Sequence, residues 1–250
     1  MGELKDISPR SSEAELKNWR RLLGLLEKSP IARDELLANL GLYMPRQVIM
    51  RLLFFHELYQ QIIRIPGVVM EFGCRWGVNL SYLVALRGIY EPYNHNRRII
   101  GFDTFSGLKG RSDKDGNSPL AVDGKYATAS GYQHHLETVL DCLEAFSPLA
   151  HIRKFEIVPG DVREALPAYL RKNPQTIVSL AYFDMDLYEP TKAALELILP
   201  HAVKGTIIGF DELNWSEMPG PTLALKEILG MRYPLKRSPL QPIPGYVVVE

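Results

Sequence analysis

Ile177-Val178-Ser179-Leu180-Ala181-Tyr182-Phe183-Asp184-Met185-Asp186 is an apolar run that stops on two carboxylates one residue apart. A short apolar run bounded in this way reads as a buried strand that delivers acid to a site. Four more runs end alike: Val68 to Phe72, which carries Glu71 and meets Gly73; Arg98 to Phe102 before Asp103; Phe155 to Val158 before Asp161; and Thr206 to Phe210 before Asp211-Glu212. Helical stretches separate them, near 77–90, 132–146, 162–171, 189–199 and 220–229. Strands alternating with helices predict right-handed crossovers and a parallel sheet covered on both faces, a doubly wound α/β fold. The strands are expected at 68–72, 98–102, 153–158, 177–183 and 205–210. Two last runs, 232–236 and 245–249, lack a helix between them and predict a C-terminal antiparallel hairpin joined through the Pro-rich segment 238–244.

Ahead of the first strand the pattern is helical. Ser12-Glu13-Ala14-Glu15 is a capping box, in which the Ser hydroxyl and the Glu carboxylate each satisfy a backbone N–H of the other. Helices are expected at 12–28, 33–40 and 45–63, so residues 1–66 read as a helical cap and 67–250 as one compact domain. The N-terminal helices are also the expected surface for any homo-oligomer. One further segment stands out: Thr104 to Gly131 is a long polar loop with five glycines after Asp103, and a loop of that length is a lid or a surface insertion.

The chain has 250 residues, 46% of them hydrophobic, with 29 basic and 29 acidic side chains. Zero net charge gives no field that favours nucleic acid, and no apolar run approaches the ~20 residues that span a bilayer. Met1-Gly2 matches the start of a myristoylation signal, but Asp6 stands where Ser or Thr is needed. Cys74 and Cys142 are too few for a disulfide framework and read as reduced thiols of a cytoplasmic protein.

In an open α/β sheet, ligands bind beyond the carboxyl ends of the strands, where all the acids lie. Glu71-Phe72-Gly73-Cys74-Arg75-Trp76-Gly77 leads from the first strand into a helix, with two glycines that let a ligand approach the backbone. Asp103 ends the next strand, placed to accept from both hydroxyls of a ribose. Together these point to an adenosine-containing cofactor. A dinucleotide would need Gly-x-Gly-x-x-Gly for its pyrophosphate, whereas bulky Arg75 and Trp76 separate Gly73 from Gly77 here. S-adenosylmethionine carries no phosphate and suits that spacing. Asp161 reads equally as an adenine contact or as the N-cap of the helix after it. His134 and His135 read as exposed, and the loop aromatics Tyr126 and Trp215 as residues that stack on a sugar or anchor their loops.

From Tyr43-Met44-Pro45 to the C-terminus the chain resembles the macrocin O-methyltransferase family, class I methyltransferases that methylate sugar hydroxyls with a divalent metal. The matching pieces are Val69-Met-Glu-Phe-Gly-Cys-Arg-Trp-Gly77, Gly101-Phe-Asp-Thr-Phe-Ser-Gly-Leu108, Asp184-Met-Asp-Leu-Tyr-Glu-Pro-Thr191 and Asp211-Glu212. The resemblance implies a Rossmann-like methyltransferase domain with Glu71, Gly73, Gly77, Asp103, Thr104, Phe105, Gly107, Asp161, Tyr43 and Met44 around S-adenosylmethionine. It implies Asp184, Asp211 and Glu212 as ligands of Mg²⁺ or another divalent cation, and Asp186 as the base. Two departures are plain: Met185 stands where the family often has Gly, and Glu212 where it often has a second Asp. The implied acceptor is a small molecule or glycan, with no nucleic-acid partner and no membrane insertion. A catechol-like acceptor, a dinucleotide oxidoreductase and a silent S-adenosylmethionine-binding protein are the alternatives.

Overall fold

The computed structural model describes residues 11–241 and 243–250. The Met1-Gly2 start, and Pro242 within the Pro-rich segment, lie outside the described residues. Contacts divide the chain into two compact units, Met1–Met50 and Arg51–Glu250, so the division falls inside a helix and ahead of the boundary at 66/67 expected from the sequence.

The N-terminal unit holds α1 (Glu13–Glu27), α2 (Arg33–Leu36), a 3₁₀ turn (Leu37–Tyr43) and the start of α3 (Arg46–Ile62). The Ser12–Glu15 capping box is formed. The helix expected at 33–40 stops at Leu36; the backbone tightens into the 3₁₀ turn and runs on to Tyr43, whose hydroxyl donates to Ser29 Oγ at 2.8 Å. Tyr43 and Met44 belong to this unit.

The second unit contains β1 (Val68–Phe72), α4 (Val78–Tyr90), β2 (Ile99–Asp103), α5 (Tyr132–Ala145), β3 (Phe155–Pro159), α6 (Val162–Lys172), β4 (Val178–Phe183), α7 (Tyr188–Ile198), β5 (Ala202–Phe210), α8 (Gly220–Leu229) and β6 (Gly245–Val248). The sheet runs β3-β2-β1-β4-β5-β6, with β6 alone antiparallel. Residues 232–236 contribute only the bridge Lys236–Tyr246 rather than a full strand, because Pro234 has no N–H to give a ladder. Antiparallel closure is achieved by β6 on β5.

Strand order reverses between β1 and β4, the switch point at which doubly wound sheets bind ligands. A row of four phenylalanines crosses the sheet there: Phe102, Phe72, Phe183 and Phe210 are register partners, and their rings stack at 5.1, 4.9 and 5.2 Å between centroids. The next residue on each strand is Asp103, Gly73, Asp184 or Asp211. Packing of one ring against the next therefore fixes the level at which the acids emerge. Glu71 and Tyr182 face the opposite side, where Phe54, Phe55, Leu58, Tyr59 and Ile62 of α3 join α4 and α5 in the core; α6, α7 and α8 pack the phenylalanine side.

Candidate active site

Gly73 carries φ +91°, and a Cβ there would lie 1.9 Å from the carbonyl oxygen of Asp184. Only glycine lets the ends of β1 and β4 converge so closely. Past it the turn stays left-handed at Arg75 and at Gly77, the residue before α4. Asp103 spans the turn: its Oδ2 accepts from the Arg75 N–H at 2.7 Å and its Oδ1 from the Phe105 N–H at 2.6 Å. Thr104 Oγ1 donates to the Gly107 carbonyl at 2.7 Å. Asp161 caps α6, accepting from the Arg163 N–H at 3.0 Å and pairing with the Arg163 guanidinium at 2.6 Å; these bonds hold its carboxyl below the usual range. It lies one strand over from Asp103, whose carbonyl accepts from the Gly160 N–H.

Glu71 is fully buried. Its Oε1 accepts from Asn79 Nδ2 at 2.7 Å, and its Oε2 has no hydrogen-bond partner among the described residues. Burial pushes its pKa up to about 8 from an ordinary 4.5, against the pull of the Asn79 bond and the Arg51 charge. Between those values the folded protein holds a proton that the unfolded chain has released. Glu71 therefore stabilises the fold fully below its unfolded value, and that contribution is lost as pH rises through the folded one, at ~1.4 kcal/mol per pH unit. Glu71→Gln keeps the acceptor oxygen and removes the titration, so urea midpoints of the variant should fall less than wild type between about pH 5 and about pH 8. Identical pH slopes would show that Glu71 does not titrate there.

Asp184, Asp186 and Glu212 each offer an oxygen, and the three oxygens lie within 4.8 Å of one another. Burial raises the pKa of Asp184, helped by the Asp211 charge, and burial also raises that of Asp186. Glu212 is pushed up to about 11 by burial and then by Asp186 and Asp211, and its hydrogen bond with Asp186 favours a proton on Glu212. Asp211 is turned elsewhere: its Oδ1 accepts from Tyr182 Oη at 2.6 Å and meets Arg51 Nη1 at 2.8 Å. Acids this close, and this reluctant to ionise together, leave room for more positive charge than one arginine supplies. Hard oxygen donors in that state fit Mg²⁺.

Sequence reasoning missed two side chains of this network. Arg51 Nη2 pairs with Asp184 at 3.0 Å, and its Nε donates to Asn79 Oδ1 at 2.9 Å. The available signal was that Arg51 shares a helical face with Phe54, Phe55, Leu58 and Ile62, so a charge sits on a buried stripe. Asn79, in the first turn after the glycines, gave no comparable sign.

The long loop is tied down around the site. Ser112 and Asp115 form a capping box, and fully buried Asp115 accepts from the Tyr188 N–H at 2.6 Å, at the start of α7. Leu120, Ala121, Leu187 and Met218 make a small core of their own, with Leu108 and Trp215 packed against it. Tyr126 stacks on the Arg75 guanidinium, 4.8 Å from ring centroid to Cζ. Its hydroxyl is pushed up to about 12 by burial and by the charges of Asp186 and Glu212. His134 and His135 are exposed, as expected, and take no part.

No protein-family model and no curated protein matches the sequence. Solved structures do. The chain is similar to CalS11, a calicheamicin methyltransferase, at 46% identity over 96% of this chain and 94% of that one, with a TM-score of 0.93. A second structure of CalS11, described as a TDP-rhamnose 3'-O-methyltransferase of calicheamicin biosynthesis, is 43% identical over 96% of each chain, with a TM-score of 0.85. The O-methyltransferase NovP, 16% identical over 80% of each chain at a TM-score of 0.62, shares the fold. With identity at that level running nearly end to end, on a sheet whose strand ends carry the expected acids, the chain belongs to the macrocin O-methyltransferase family and is an S-adenosylmethionine-dependent O-methyltransferase.

Proposed function

We propose that the chain methylates a hydroxyl of a sugar carried on a nucleotide or a glycosylated natural product, with a divalent cation, Mg²⁺ by its donor set, at the ends of β4 and β5. The observation that carries this reading is the cluster of Asp184, Asp186 and Glu212 beside the Gly73 turn. CalS11, which acts on a nucleotide sugar, favours a sugar over a catechol as acceptor.

Asp184, Asp211 and Glu212 would hold the cation, which when bound would polarise the acceptor hydroxyl and lower its pKa. S-adenosylmethionine would supply the methyl group on its sulfonium. The remaining work falls to side chains. Asp186 takes the proton from the hydroxyl, and burial raises its pKa, the direction that makes a carboxylate a better base. Glu71, Gly73, Gly77 and Asp103 shape the cofactor side, joined by Thr104, Phe105, Gly107 and Asp161. Tyr126, seated on Arg75, ties the 104–131 loop to the glycine turn, where the loop would keep water from the acids.

A panel of nucleoside diphosphate sugars and catechol, incubated with S-adenosylmethionine and Mg²⁺, tests the proposal by mass spectrometry and NMR of the product. Transfer to a sugar hydroxyl, abolished by EDTA, is expected. Preferential methylation of catechol would overturn the sugar reading; transfer indifferent to EDTA would overturn the metal.

A further inference from the structure

Two of the carboxylates named as cation ligands, Asp184 and Asp211, already have a cation. Arg51 spreads its guanidinium across the ends of two adjacent strands, Nη2 on Asp184 beyond β4 and Nη1 on Asp211 beyond β5. Its third edge is fixed as well, since Nε donates to Asn79 Oδ1, and Asn79 in turn donates to Glu71 on β1. Arg51 is thus a planar fork held on every side, the arrangement in which arginine loses least freedom on pairing. Burial alone would lower its pKa, but the charges of Asp211, Tyr182 and Asp184 more than reverse this. Arg51 also covers oxygens that a divalent cation needs.

We propose that Arg51 is a positioning residue that acts as an internal stand-in for the divalent cation. Without the metal it holds the ends of β4 and β5 together; when the metal binds, Arg51 gives up its contacts with Asp184 and Asp211. This inference rests on the metal reading above and adds to it a competitor built into the chain. Arg51 therefore sets how tightly the cation binds. Through Asn79 it also joins the cation site to Glu71, on the strand that leads into the cofactor turn.

The sign of one substitution separates this from a purely structural role. Arg51→Met removes the competing charge, so the dissociation constant for Mn²⁺, read by calorimetry or by the EPR signal of free Mn²⁺, should fall about tenfold. Arg51→Lys keeps the charge without the fork and should stay closer to wild type. If Arg51 merely scaffolds the site, both variants bind Mn²⁺ more weakly, and that result overturns the proposal. Equal dissociation constants in all three proteins overturn it too while leaving the metal in place; absence of Mn²⁺ binding in all three overturns the metal reading and this inference together. The unmodified protein gives a check that needs no variant to fold. Saturating Mg²⁺ should shift the Arg51 Nε resonance in ¹⁵N NMR, and a resonance unmoved at saturation refutes displacement.

Discussion

Asp186→Asn should lower kcat by roughly 10² to 10⁴, the usual worth of a positioned general base, while Mn²⁺ still binds. The substitution is clean for a conformational reason. Asp186 has φ +62°, in the left-handed region, and asparagine is, after glycine, among the residues that adopt it most readily. The turn between β4 and α7 should therefore survive, with Leu187 N–H still donating to the Met185 carbonyl. Asparagine also keeps the side chain's size and one carbonyl oxygen, so the proton acceptor is lost while Asp184, Asp211 and Glu212 are left in place for the cation. Binding and chemistry separate in the readout: KM should change little beside kcat, because the proton is transferred only in the transition state. A variant with wild-type kcat would remove Asp186 from the role of base. Loss of Mn²⁺ affinity together with kcat would make it a ligand instead.

Much of this architecture was legible before any coordinates, for identifiable reasons. β1, β4 and α8 fall within a residue of their expected bounds, because each is a short apolar or amphipathic run punctuated by glycine, proline or acid. The acids were found for the same reason: a carboxylate that stops an apolar run is visible in one dimension. What stayed hidden needed the third. Arg51 meets Asp184 across 133 positions of sequence, and nothing near either residue announces the other. Asp115 inside the polar loop looked like solvent-facing charge, yet it is fully buried against the start of α7. Pro234 is an obstacle legible in the sequence to the strand expected at 232–236, since it has no N–H to give a ladder. Asp211 shows a different limit: its place in the chain makes it a ligand by resemblance, while its carboxylate lies against Arg51 and Tyr182. Sequence spacing locates a side chain on a strand end and leaves open which of two neighbours holds it.

The largest structural effect should come from Gly73→Ala. Two costs combine there. The backbone at φ +91° is one that L side chains rarely adopt, and the new Cβ would sit 1.9 Å from the Asp184 carbonyl oxygen and 2.6 Å from its carbon. Neither atom is the tip of a flexible side chain, and Asp184 is itself pinned, its N–H donating to the Phe72 carbonyl at 2.7 Å. Strain and overpacking of this kind sum to roughly 3 to 5 kcal/mol. Gly124→Ala supplies the comparison, since φ is +80° there with nothing within 4 Å of the added Cβ. It should show backbone strain alone, about 1 kcal/mol. Urea denaturation reads the difference, and calorimetry with S-adenosylmethionine reads its consequence. If the β1 and β4 ends are forced apart, cofactor affinity should collapse in Gly73→Ala and hold in Gly124→Ala. Equal stability losses in the two variants would mean that Asp184 yields without cost, and that the close approach of β1 to β4 is not what requires glycine at this turn.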